Sequence, residues 1–329
     1  MVSPALTVDV PPQPWTGRFD GEGAEHRRWW QAVSPYAVAP SESSSDLPGG
    51  AAPLNAGAVP AVLLGFASDE GVRRNKGRTG AAAAPAAIRA ALGPLAFHLD
   101  RAVADAGDVV VADGALEAGQ ARAGQAVAAM LDAGCLTVML GGGHETAFAS
   151  YLGVAGSAEV RGGRRLGILN LDAHFDLREE PLPSSGTPFL QMARAEAAAG
   201  REFRYAVLGI SEANNTKALF DTAGRLGVRY LADEDCAPGE VQDFVAQFLA
   251  GVDVLYLTID LDVLPASVAP GVSAPAAFGV PLPVISAVCR QVAASGKLLH
   301  LDVAELNPAF DIDGRTAKVA DRLVNTLLR

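Results

Sequence analysis

Leu166-Gly167-Ile168-Leu169-Asn170-Leu171-Asp172-Ala173-His174-Phe175-Asp176 and Val254-Leu255-Tyr256-Leu257-Thr258-Ile259-Asp260-Leu261-Asp262 are the stretches on which the fold of this chain turns. The runs 166–171 and 254–259 are short, aliphatic and do not alternate with polar residues, the pattern of parallel strands buried on both faces. Charge appears where each strand ends. Residues i, i+2 and i+4 of an extended chain share a face, so Asp172, His174 and Asp176 are expected to point one way, as are Asp260 and Asp262. Four carboxylates and an imidazole at one sheet edge would repel one another and lose their hydration unless cations sat among them. Two divalent metal ions supply that compensation.

A third segment completes the cluster. Leu136–Leu140 is another aliphatic run, and it leads into Gly141-Gly142-Gly143-His144-Glu145 ahead of a helix-compatible stretch. Glycines there permit a tight strand-to-helix turn that brings His144 to the same edge. The candidate ligands are therefore His144, Asp172, His174, Asp176, Asp260 and Asp262. Mixed imidazole and carboxylate ligation without cysteine suits manganese, iron or zinc better than calcium, with manganese favoured. A dinucleotide loop is the competing reading of the glycine run, but Thr146 stands where the last glycine of GxGxxG is required. A lone Asp-x-Asp after a strand is more often a turn or cap; joined to Asp172, His174 and Asp176, it reads as a metal site. His26 and His98 lack such company and read as ordinary surface or packing residues. His300 and Asp302, alternating on the last strand, are expected to support the site without ligating.

The GGxH, DAHxD and DxD motifs resemble those of the arginase/agmatinase ureohydrolase family, at all six positions which that family uses for a manganese pair. The resemblance runs from about Ala61 to the C-terminus. Within the family it narrows to the branch that cleaves N-formimidoyl-L-glutamate to L-glutamate and formamide in histidine degradation. Residues 68–78, 175–178, 184–189 and 304–308 carry that likeness. It implies two manganese ions per chain sharing Asp172 and Asp260, with His144 and Asp176 completing one site and His174 and Asp262 the other. It also implies that Asp176 orients the attacking water or takes its proton, while Glu305 holds the cationic nitrogen of the substrate.

Arg178 beside Glu179 and Glu180 would ordinarily be a solvated loop charge, but its place just after Asp176 suits a bidentate grip on a substrate carboxylate. The basic segment 73–78, with Arg73, Arg74, Asn75, Lys76 and Arg78, offers a second grip. Arginase and agmatinase carry a histidine immediately before the glycine that aligns with Gly186. Here that position is Ser185, a further candidate substrate contact, and its identity argues against arginine or agmatine as substrate. The alternatives are a ureohydrolase for another anionic guanidino compound, releasing urea, and a catalytically silent metal-binding member of the fold.

The rest of the chain frames the site. Its 329 residues, 50% hydrophobic and 19% charged, are enough for one large α/β core. A net charge of −11 disfavours nucleic acid and anionic membranes as partners. Cys135, Cys236 and Cys289 form no paired framework, which points to a reduced, cytoplasmic compartment. No secretory leader or bilayer-length apolar span is read. The expected partner is a small-molecule substrate, and a homo-oligomer is expected.

Residues 1–60, rich in Pro, Ser and Gly and most loop-like over 41–50, read as an N-terminal arm and loop; residues 61–329 read as one catalytic domain. Strands are expected at 61–66, 108–112, 136–140, 166–171, 204–210, 228–231, 254–259 and 298–303. Helices are expected at 85–92, 115–133, 145–154, 188–199, 215–226, 240–250, 284–294 and 316–328. That alternation implies a three-layer α-β-α fold, arginase-like, around a mainly parallel sheet of about eight strands. Ligands of such sheets bind beyond the carboxyl ends of the strands, where the acidic motifs fall.

Overall fold

Aliphatic runs separated by helices build a single sheet in the computed structural model, which describes residues 7–37 and 58–329. The loop-like stretch 41–50 lies outside the described residues. The strands are β1 (Ser34–Pro35), β2 (Ala61–Ala67), β3 (Val103–Val110), β4 (Leu136–Leu140), β5 (Leu166–Leu171), β6 (Tyr205–Ile210), β7 (Arg229–Ala232), β8 (Val254–Asp260) and β9 (Leu298–Ala304). Their order is β1-β3-β2-β4-β9-β8-β5-β6-β7, and every pairing between them is parallel.

Both faces of the sheet are covered. Leu63, Val138, Leu140, Leu171, Ile259 and Val303 pack toward the helices Ala84–Leu92, Pro238–Ala250, Leu282–Ala294 and Arg315–Leu327. Alternate residues, among them Val62, Met139, Ile168 and Tyr256, pack toward the helices Leu116–Asp132, Thr146–Gly156, Pro188–Ala198 and Lys217–Arg225. Burial on two sides is why these strands show no polar alternation. No helix among the described residues is long and apolar enough to cross a membrane.

Two departures from the sequence reading concern strands. The sheet has nine strands, the ninth being β1, a two-residue edge pairing of the N-terminal segment with β3. Pro35 has no N–H to donate, which an edge strand tolerates, and so short a pairing leaves no periodic signal. The same segment delivers Trp29, wholly buried, into the core beside Phe97.

β3 begins at Val103, five residues before the expected start, because Asp105 and Gly107 make that stretch read as a turn. Tertiary pairing overrides the local signal. Arg89 Nη2 donates to Asp105 Oδ1 at 2.9 Å, Arg89 Nη1 to Asp108 Oδ1 at 2.5 Å, and Trp15 Nε1 to Asp105 Oδ2 at 2.8 Å. Replacing Arg89 with Met should leave Asp105, 1% exposed, charged and unpaired in the interior. A loss of about 3–5 kcal/mol, read as a fall in the urea midpoint, is the expected result; a change below about 0.5 kcal/mol would show that the pair is not structurally important.

Candidate metal centre

Four adjacent strands, β4, β9, β8 and β5, form the middle of the sheet. Because they are parallel, the residues after their last positions share one edge: His144 after β4, Glu305 after β9, Asp260 and Asp262 at the end of β8, and Asp172, His174 and Asp176 after β5. This adjacency, and not strand alternation, gathers the ligands. β5 ends at Leu171, so Asp172, His174 and Asp176 lie in a turn, while Asp262 lies in a 3-10 turn over Leu261–Val263.

Each motif is shaped by its own first aspartate. Asp172 Oδ1 accepts the His174 N–H at 2.6 Å, and Asp260 Oδ1 accepts the Asp262 N–H at 2.8 Å. These tight side-chain turns hold the residues two places on toward the same side. Asn215 clamps the first turn, accepting from Phe175 N at 3.1 Å and donating to Ala173 O at 2.9 Å. Asn170 Nδ2 donates to Asp172 Oδ2 at 2.9 Å.

The glycine turn before His144 is equally constrained. A Cβ on Gly142 would lie 1.7 Å from the Ser68 carbonyl oxygen, so only glycine fits. Gly142 O accepts the Glu305 N–H at 2.8 Å, and Glu305 Oε1 accepts the His144 N–H at 2.8 Å, locking the two segments together.

All six predicted ligands converge. His144 Nδ1 lies 2.9 Å from Asp176 Oδ2, 3.1 Å from Asp172 Oδ2 and 3.2 Å from Asp260 Oδ2; His174 Nδ1 lies 3.1 Å from Asp262 Oδ2 and 3.5 Å from Asp172 Oδ1. Two groups of donors have spacings fit for an ion, His144–Asp172–Asp260 and Asp172–His174–Asp262, with Asp172 common to both.

Three carboxylates around one ring nitrogen exceed what a single N–H can serve. In the protein alone protons take up the difference. Burial opposes charge on both imidazoles, yet the surrounding aspartates hold His144 and His174 well above the usual histidine range. Burial, with Asp262 and Asp172 nearby, pushes Asp260 far up; burial and the Asp172 charge raise Asp176. Burial also opposes ionisation of Asp172, but hydrogen bonds to His144 and His174 hold it below the ordinary carboxylate range.

The far side of His144 also fits a cation. Thr258 Oγ1 donates to Asp302 Oδ1 at 2.6 Å, so it must accept from His144 Nε2–H, 3.0 Å away. That leaves the Nδ1 lone pair of neutral His144 facing the carboxylates. Asp302 also accepts from Ser150 at 2.6 Å and Tyr256 at 2.5 Å. His300 binds Thr137 Oγ1 through Nδ1, at 2.6 Å, and touches none of the six.

The cluster floors a cavity that also exposes Asn75, Lys76, Arg78, Arg178, Ser185, Asn214, Ser273 and Glu305. Arg178, Asn75, Arg78 and Ser185 thus meet at the site as the sequence suggests. Arg73 and Arg74 do not. Both bind Glu70, and Arg74 also binds Glu117 and the carbonyls of Gly114 and Pro183, which turns them away from the cavity. Asn214, Asn215, Ser273 and Thr258 were not among the predicted site residues. Of these, Thr258 carried a signal, as a polar residue inside an otherwise aliphatic strand; Asp302, expected to support the site, reaches His144 through Thr258.

Residues 59–329 match the arginase family. The chain is 58% identical to the formimidoylglutamase of Nocardia farcinica, over 95% of each chain, and 56% identical to that of Rhodococcus jostii, over 97% of this chain and 96% of that one. Among solved structures, a Trypanosoma cruzi formiminoglutamase with Mn2+2 superposes with a TM-score of 0.74 at 24% identity, covering 82% of this chain and 92% of that one. A Bacillus subtilis arginase gives 0.69 at 23%, covering 82% and 98%. With the fold, the motifs and near-full-length identity in agreement, the chain belongs to the arginase family.

Proposed function

We propose that the protein is a formimidoylglutamase, a metal-dependent hydrolase that converts N-formimidoyl-L-glutamate and water to L-glutamate and formamide in histidine degradation. The observation that carries this reading is the polarity of the cavity. Its floor is a carboxylate cluster shaped for cations, while its rim presents the Arg178 guanidinium, which has no acidic partner among the described residues. A substrate with a cationic amidine head and an anionic tail matches that polarity; the near-full-length likeness to formimidoylglutamases supports the same substrate. The proposed catalytic domain is 61–329, with residues 1–60 as its arm. A reduced cytoplasmic setting is supported by three free, buried cysteines; assembly as a homo-oligomer is proposed on the family resemblance alone.

We assign two manganese ions to the cluster, Asp172 and Asp260 serving both, His144 and Asp176 one, His174 and Asp262 the other. When bound, the ions would acidify the water that attacks the amidine carbon. The chain's own groups do the rest. Glu305 is anchored through Oε1 on the His144 N–H, while its buried Oε2 has no partner among the described residues and is available to the amidinium nitrogens. Burial and the neighbouring Glu145 push Glu305 up to about 8 in the protein alone; a cationic head bound beside it favours the ionised form. Asp176 takes the proton of the attacking water and returns it to the nitrogen of the departing glutamate. Ser185 accepts from Asn75 Nδ2 at 3.0 Å, leaving its hydroxyl proton for the substrate. Arg178, packed over Gly186, holds a carboxylate.

Three outcomes are expected. Purified protein should carry two ions per chain by elemental analysis. Asp172→Asn should empty both sites and His174→Ala mainly one; a fully active protein with a single ion would overturn the assignment.

Product analysis should find glutamate and formamide from formimidoylglutamate, with little turnover of arginine or agmatine. Urea as the main product of a guanidino acid would establish the alternative instead.

Cation affinity should rise with pH through neutrality. His144 and His174, both raised, and Asp176 and Asp260, also raised, must give up protons before they ligate. Lowering the pH restores those protons and expels the ions. Titration with Mn2+ in weak buffer should release protons, and uptake without release would contradict the ligand set.

A further inference from the structure

Formimidoylglutamate has two carboxylates, and one guanidinium cannot grip both. The basic stretch 73–78 offers a second cation, but most of it is already committed. Arg73 and Arg74 are bound to Glu70 and turned from the cavity. Arg78 faces it, yet its Nε donates to Ser273 O at 2.9 Å, one Nη to Val272 O, and its guanidinium lies 4.2 Å over the Phe310 ring. Lys76 also lines the cavity, and its ammonium makes no hydrogen bond or ion pair within the described residues. It is placed beside Asn75, whose Nδ2 donates to Ser185 Oγ; Ser185 in turn adjoins Gly186, over which Arg178 is packed.

The backbone supplies a second, independent observation. Lys76 has φ 61, in the left-handed region. Its N–H donates to Arg73 O at 3.1 Å and the Gly77 N–H to Val72 O at 2.9 Å, which closes the helix Glu70–Arg74. Glycine is the usual residue at such a position, since a β-carbon there is strained. Of the five non-glycine residues with positive φ among the described residues, three line this one cavity: Lys76, Asp176 and Glu305. Strain concentrated at one ligand site points to use by the ligand.

We propose that Lys76 and Arg178 divide the two carboxylates of the substrate between them, Arg178 as a bidentate fork and Lys76 as a point charge. Specificity for a dicarboxylic amidine then arises from the separation of these two cations, and Arg78 shapes the wall that Lys76 stands against. This assignment rests on the proposed substrate.

The test uses the full-length manganese-loaded enzyme with three substrates: formimidoylglutamate, N-formimidoyl-4-aminobutanoate, which lacks the carboxylate beside the reacting nitrogen, and N-formimidoyl-2-aminobutanoate, which lacks the distal one. Lys76→Gly removes the charge while suiting the left-handed backbone, and Lys76→Asn is a second variant tolerant of that conformation. Both should melt at or above the wild-type temperature and keep wild-type manganese. Each should lose about tenfold in kcat/KM on formimidoylglutamate, and Arg178→Ala about thirtyfold or more. Each cation's penalty should vanish with one analogue, and the two cations should answer to different analogues. The proposal is overturned if the Lys76 variants cleave formimidoylglutamate as well as wild type, or lose equally on all three substrates. It is also overturned if both cations answer to the same carboxylate. If wild type itself releases no glutamate from formimidoylglutamate, the substrate reading fails and the division of carboxylates falls with it.

Discussion

Crowding of like charge in a dry place is the constraint around which this protein is organised. Asp172, Asp176 and Asp260 surround one imidazole nitrogen, and Asp262 with Asp172 flanks another, at an edge where Asp172, Asp260 and Asp262 are almost fully buried. Hydrophobic packing cannot hold such a group together, because each carboxylate loses hydration and gains repulsion on entry. Cations or protons must balance it. The protein arranges the donors for either, which ties folding of the sheet edge, metal content and proton release to one another.

Holding the cluster open falls to groups outside the six ligand candidates. Thr258 and Asp302 fix the ring of His144 from behind, Asn170 steadies Asp172, and Asn215 clamps the turn that presents His174. Gly142 lets the turn before His144 press against Ser68, the residue at which the 68–78 segment begins. Ser68 Oγ and Gly71 N both donate to Glu145 Oε1, at 2.7 and 2.9 Å. The turn that carries a ligand and the segment that carries the rim are thus one connected piece, so substrate-facing groups are set by the same backbone that sets the floor.

Charge is divided by depth. The chain carries 37 acidic and 26 basic residues, yet the rim of its site is locally cationic. Most arginines elsewhere are already paired: Arg89 with Asp105 and Asp108, Arg74 with Glu70 and Glu117, Arg201 with Glu196. Unpaired cations above a carboxylate floor make an asymmetric field, positive outside and negative within. Such a field would orient a dipolar substrate before contact.

Much of this was legible in the chain itself. Aliphatic runs without polar alternation identified β4 and β5 to the residue and β8 and β9 to within one, because a strand buried on both faces has little freedom in composition. The six ligand candidates were legible together for a related reason: several carboxylates and imidazoles falling at the ends of apolar runs have no cheap explanation except a site. Other features came only from tertiary structure. Asp105 sits within a strand because a distant arginine reaches it, and β1 exists because an arm finds an edge. Strand order placed β4, β9, β8 and β5 side by side, and side-chain turns, not pleat alternation, aimed the aspartates. Arg73, Arg74 and Lys76 are neighbours of like charge in the sequence, but Glu70 holds both arginines, Glu117 and the Gly114 and Pro183 carbonyls complete Arg74, and the lysine is left. Local composition reports what a segment can do; which charges are satisfied depends on contacts between segments, and only the folded chain makes those.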